Sequence, residues 1–203
     1  RALLLGVKDY EAPITQVTSA QNDLDALKYK LNQLSFEVVT YFNCKYDNIT
    51  DSVDRFYEEA PTDSINIVYF TGHGFHYRGQ NYIVPIDFVL SKPIEKNGYN
   101  VENLFNWNQR KIIKIVIIDA CRNNFDTQYK GDYTSTFSLP QDTYIAYATQ
   151  FGTVASYTKY ALSHFTEAIC NHILLPNISI NELFEKVRYD LDKKGYPQIS
   201  NCI

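Results

Sequence analysis

Residues 112–121 read IIKIVIIDAC. All but Lys114 of the first seven are isoleucine or valine. Such a run lacks the polar alternation of a half-solvated strand, so it predicts a central strand covered on both faces. It stops at Asp119-Ala120-Cys121. A second apolar run, residues 65–71 (INIVYFT), leads into Gly72-His73-Gly74, and residues 2–7 (ALLLGV) form a third. Between these strands the periodicity changes. Over residues 18–34, Ala20, Leu24, Leu27, Leu31 and Leu34 recur at three- and four-residue spacing, the stripe of an amphipathic helix. Residues 48–60 carry Ile49, Val53 and Phe56 on one helical face and stop before Pro61. The pattern further predicts strands at 36–42, 82–85 and 143–148, a short helix at 101–108, and helices at 161–173 and 180–193. Residues 123–141 are polar, aromatic and aperiodic, which predicts a surface loop.

Strands alternating with helices predict an α/β fold, a mostly parallel sheet with helices on both faces. In open sheets of this kind ligands sit outside the carboxyl ends of the strands. Gly72–His73–Gly74 and Asp119–Ala120–Cys121 both fall there.

At 203 residues the chain fits one domain, residues 1–203. It starts at Arg1 on a strand-like run without an initiator Met, so it is expected to be a fragment whose regulatory or recruitment regions lie elsewhere. A net charge of −4 argues against nucleic acid as a partner. The apolar runs fall far short of the roughly 20 residues that span a bilayer, so no membrane partner is expected. Cys44, Cys121, Cys170 and Cys202 are widely separated, with no CxxC pair. This suggests neither zinc nor a disulfide framework and points to a reducing, cytoplasmic setting.

A thiolate is a strong nucleophile, but an ordinary thiol is mostly protonated at neutral pH. A nearby imidazole can help generate the thiolate and later protonate a leaving amine. His73 between glycines and Cys121 past a buried strand fit those roles. Taken singly, each residue has a plainer explanation: a thiol beyond a buried strand is usually inert, and a His in a Gly turn is usually structural.

Two segments add weight. Residues 117–124 (IIDACRNN) resemble the nucleophile segment of the paracaspase and metacaspase branch of the caspase-like cysteine peptidases. Residues 69–75 (YFTGHGF) resemble their catalytic-histidine segment. His73 stands 48 positions before Cys121 (121 − 73), near the roughly 50 expected of this superfamily. Residues 2–10, 82–87, 147–155, 163–169 and 195–203 resemble further segments of the family in the same order. The aromatic residue after Gly-His-Gly leans toward paracaspases or bacterial relatives.

The resemblance implies a caspase-like sandwich and a cysteine endopeptidase without metal or organic cofactor. Cys121 would be the nucleophile and His73 its acid and base, with backbone amides of Gly74 and Cys121 as the oxyanion hole. Paracaspases and metacaspases place acids in the specificity pocket; Asp119 and Asp23 match two of them. The implied substrates are proteins or peptides with Arg, or Lys, before the scissile bond. Many relatives carry a third acid where this chain has Ser156-Tyr157-Thr158, so Ser156 and Tyr157 become pocket candidates and strict Arg preference is open. Taken alone, Asp23 could be an exposed first-turn carboxylate and Asp119 a brace for the nucleophile loop. Lys130, the only Lys or Arg between residues 123 and 141, is the expected autocleavage point. A homodimer through a sheet edge near the last strand is also implied.

The remaining histidines and Trp107 are given plainer places. His76 is expected in a solvated loop, His164 and His172 in a helix, and Trp107 in packing; Arg122 receives no catalytic role. The competing function is a silent or partner-activated caspase-fold scaffold, although both His and Cys are retained. A different hydrolase or transferase using Cys121 is weaker, because no Gly-x-Cys-x-Gly elbow surrounds the thiol.

Overall fold

The computed structural model describes residues 1–107, 111–120, 123–124 (backbone only), 139–148 and 161–195. The chain begins with β1 (Ala2–Gly6), α1 (Ala20–Gln33), β2 (Val38–Phe42), α2 (Tyr46–Glu58) and β3 (Ile65–Thr71). Next come β4 (Gly74–Tyr77), β5 (Gln80–Ile83) and β6 (Tyr99–Asn100), then β7 (Ile113–Asp119) and β8 (Asn123–Asn124). β9 (Thr143–Tyr147), α3 (His164–His172) and α4 (Ile180–Lys193) complete the order.

Five strands form a wholly parallel sheet in the order β2-β1-β3-β7-β9. Side chains alternate between its two faces, as the strand repeat requires. Leu3, Leu5, Val68, Phe70, Val116 and Ile118 pack on the side of α2. Leu4, Ile67, Tyr69, Ile115 and Ile117 face the other side, with apolar residues of α1, α3 and α4. Burial on both faces explains why β3 and β7 read as mostly apolar runs, interrupted only by Asn66 and Lys114 before their last residues. Close packing also explains Gly6: a Cβ there would lie 2.6 Å from Leu24 Cδ1 of α1. Lys114, the exception in β7, is buried because Nζ donates to the carbonyls of Phe105 (3.1 Å) and Trp107 (2.9 Å).

A second, four-stranded sheet in the order β6-β5-β4-β8 lies on the α2 side, where Phe75, Tyr82 and Ile83 join the same core. Its strand β4 is absent from the sequence-based expectations, and His76 is a correction. Far from a solvated loop, it is 1% exposed within β4, its Nδ1 3.0 Å from Asn81 Oδ1 of β5. Hydrogen-bonded pairing with a neighbouring strand outweighs the polar look of the segment. Residues 123 and 124, expected in a loop, pair with β4 instead. The helix expected over 101–108 is a 3-10 turn, Val101–Leu104, and the strand expected at 82–85 is Gln80–Ile83.

The sheet order places the reversal of winding between β1 and β3. From β1 the chain crosses outward to β2, then returns past β1 to β3. Ligands in open α/β sheets gather at such a switch point.

Candidate active site

β3 ends at Thr71, tied to its neighbours by Val7 N–H to Thr71 O (3.0 Å) and Gly72 N–H to Asp119 O (3.3 Å). Gly72 has no room for a side chain: a Cβ would sit 2.8 Å from both Phe70 Cζ and Tyr10 Oη. The following residue, His73, is half-buried, with its ring centroid 4.8 Å from that of Tyr10. His73 Nε2 lies 2.6 Å from the backbone oxygen of Thr15 and 3.4 Å from Thr15 Oγ1. A carbonyl can only accept, so Nε2 carries the hydrogen and Nδ1 keeps the lone pair. Burial pushes the imidazole below its ordinary pKa, opposed by the Thr15 bond. The ring is therefore a neutral base near pH 7, oriented by backbone.

Gly74 opens β4 opposite Ile83 of β5. One position earlier, Val84 N–H donates to His73 O at 2.9 Å. Antiparallel ladders alternate bonded and non-bonded pairs, so the Gly74 N–H points away from β5, toward the side on which β8 pairs.

Cys121 lies outside the described residues, as do Arg122, Lys130, Ser156 and Tyr157. The chain on either side of position 121 is placed. In the large sheet Asp119 is the partner of Thr71, two residues before His73. In the small sheet Asn123 is the partner of Phe75, two residues after it. The segments flanking Cys121 thus run alongside the segments flanking His73.

Asp23 and Asp119 are brought together behind this corner. Asp23, in the first turn of α1, is 0% exposed, and Asp119, the last residue of β7, is 3% exposed. Asp23 Oδ1 accepts from Ser163 N–H (2.8 Å) and Oδ2 from the Thr71 hydroxyl (3.2 Å). Asp119 Oδ2 accepts from the hydroxyls of Ser163, Thr166 (2.8 Å) and Tyr69 (3.3 Å). Ser163 is the N-cap of α3 and contacts both acids. Burial, reinforced by the Asp119 charge, pushes Asp23 up from 3.8 to about 7. Burial likewise raises Asp119, opposed by its hydroxyl partners. Two carboxyls so placed hold a proton when nothing cationic is near and favour a cation that would ionise them.

Tyr10, Thr15, Tyr69, Thr71, Ser163 and Thr166 are therefore parts of this corner that sequence reasoning did not single out. Only Ser163 had a local signal, a Ser directly before an apolar helical pattern. Elsewhere Trp107 stacks on Tyr57 with centroids 6.1 Å apart, and His172 meets Asp190 of α4 at 2.8 Å. Among the described residues, no cluster of three His, Cys, Asp or Glu could hold a metal ion. No helix among them is long and apolar enough to cross a membrane.

The caspase-domain family matches this chain over residues 1–203. The chain belongs to the caspase-domain family. It is thus a domain of the caspase-like cysteine peptidases with the caspase α/β fold. Human mucosa-associated lymphoid tissue lymphoma translocation protein 1 is 24% identical over 203 residues, covering 95% of this chain and 24% of that protein. Caspase drICE of Drosophila melanogaster is 24% identical over 187 residues, covering 83% of this chain and 52% of that protein. The chain therefore spans about a quarter and about half of these relatives' lengths. The crystal structure of caspase-1 from Spodoptera frugiperda superposes with a TM-score of 0.76 at 20% identity, covering 100% of this chain and 84% of that one.

Proposed function

We propose that residues 1–203 form one peptidase domain that cleaves peptide bonds after Arg or Lys through Cys121 and His73. The observation that carries this reading is the double register: residues 119 and 123 lie beside residues 71 and 75, bracketing positions 121 and 73 alike. His73 Nδ1, with its lone pair fixed by the Thr15 bond, takes the Cys121 thiol proton. The thiolate adds to the scissile carbonyl, and backbone N–H groups of Gly74 and Cys121 hold the oxyanion. His73 then protonates the departing amine, leaving a thioacyl-enzyme. Water, deprotonated by His73, attacks the thioester and releases the acid product and the Cys121 thiol.

Asp23 and Asp119 receive the basic side chain of the substrate. Their mutual repulsion becomes attraction for a guanidinium or ammonium brought beside them, and Ser156 and Tyr157 complete the pocket. This acidic pair supports the paracaspase side of the family. Lys130 is the autocleavage point, a homodimer is the active assembly, and the domain works in a reducing, cytoplasmic setting.

A fluorogenic panel ending in Arg, Lys, Asp or Leu, run on wild type and Cys121→Ala, tests the reading. Cleavage after Arg or Lys that vanishes in the variant is the expected result. Turnover that persists in Cys121→Ala, or preference for Asp or Leu, overturns it. No turnover of any peptide favours the scaffold alternative.

A further inference from the structure

The pair formed by His73 and Val84 is incomplete as a ladder pair. In a hydrogen-bonded antiparallel pair the two residues exchange both N–H···O bonds. Here Val84 N–H donates to His73 O at 2.9 Å, but the reciprocal bond is replaced. His73 N–H donates instead to the Tyr10 hydroxyl at 2.9 Å, and that hydroxyl donates to Val84 O at 3.0 Å. A side chain from the loop after β1 is thus inserted as a relay between the two strands that frame the candidate base.

Tyr10 is 4% exposed, so its hydroxyl sits where an unrelayed donor or acceptor would be costly. Its ring leans on the His73 imidazole at an interplanar angle of 49°. Its oxygen also occupies the space that a Cβ on Gly72 would need. Backbone, ring and neighbouring glycine of the base are therefore all in register with one phenol.

We infer that Tyr10 is a positioning residue for His73: its relayed hydrogen bonds and ring contact keep the imidazole on the Thr15 carbonyl, with Nδ1 free to act as base. The inference rests on His73 being the base of the proposed peptidase. Closing the relay into a direct His73–Val84 bond would draw the strands together and shift the imidazole relative to Thr15 O. Displacements of about 1 Å at a reacting group can cost up to roughly a hundredfold in rate.

Tyr10→Phe keeps the ring and removes the relay. Gly72→Ala is the second variant, because its Cβ, 2.8 Å from both the Tyr10 hydroxyl and Phe70 Cζ, crowds the relay without deleting the hydroxyl. Two readouts are taken on folded samples: kcat and KM with an Arg peptide, and the His73 tautomer and pKa from imidazole nitrogen-15 shifts. For either variant the expected result is a loss of about tenfold or more in kcat with KM within about twofold. It is accompanied by a fall in the Nε2–H tautomer of His73. A merely structural role would lower thermal stability while leaving the tautomer and kcat as in wild type, and that result overturns the inference. Should wild type cleave nothing, the peptidase proposal fails on its own, and the tautomer shift still decides whether Tyr10 positions His73.

Discussion

Replacing Asp23 by Asn isolates the energetic consequence of the buried acid pair. Asp23 is raised from 3.8 to about 7, first by burial and then by the Asp119 charge. The folded state therefore binds the proton more tightly than the unfolded chain does. Stability from this group is fully present below about pH 3.8 and is lost as pH rises toward 7, beyond which the loss is constant. Each unit of displacement is worth about 1.4 kcal/mol, so ionising Asp23 costs the fold up to about 4 kcal/mol. Asparagine removes that cost while keeping the contacts. Its oxygen can accept from Ser163 N–H and its amide can donate to Thr71 Oγ1, two of the partners that Asp23 has now beside the Ser19 side chain. Urea unfolding of both proteins between about pH 4.5 and pH 7.5 reads the difference, and titrating groups outside the Asp23–Asp119 pair cancel in the comparison. Wild type should lose about 3 kcal/mol relative to Asp23→Asn across that window. Parallel stability curves would refute the account of two strained, mutually repelling acids.

Two further outcomes follow from the same structure. Arg stays charged over the whole accessible range, so KM for an Arg peptide should fall at least about threefold from pH 6 to pH 8 as the pair ionises; a flat or rising KM would place the basic side chain elsewhere. Lys114→Met should lower unfolding free energy by about 1–3 kcal/mol in urea, because the carbonyls of Phe105 and Trp107 lose a buried donor; unchanged stability would mean that Met packing offsets both bonds.

Much of the fold was legible because its two central strands are buried on both faces. β-branched and aromatic chains fill most interior positions of β3 and β7, with Asn66, Lys114 and Asp119 as the buried polar exceptions, and α4 runs over 180–193 as its periodicity predicts. The small sheet was harder. β4 and β5 carry His76, Gln80 and Asn81, whose polarity reads as loop, yet His76 Nδ1 pairs with Asn81 Oδ1 inside the sheet and the Asn81 amide donates to the Tyr147 hydroxyl. Such pairing is non-local chemistry with no period of its own. At the candidate site, Asp23 and Asp119 were visible through resemblance, but their burial was not. It depends on Ser163, which is 140 positions from Asp23 and meets it only once α3 packs beside α1. Tyr10 and Thr15 escaped notice for the same reason. Their roles lie in a hydroxyl and a backbone carbonyl brought to His73 by the turn after β1.

The central claim is that Cys121 is a nucleophile served by His73 and an acidic pocket. Its most direct test is a peptidyl-arginine chloromethyl ketone added to wild type, Asp23→Asn and His73→Ala, with the adduct located by peptide mapping. The expected result is one adduct on Cys121, formed fast in wild type and at least about tenfold more slowly in each variant, with an aspartyl analogue unreactive. Labelling of Cys44 or Cys170 instead, or equal rates in all three proteins, would contradict it.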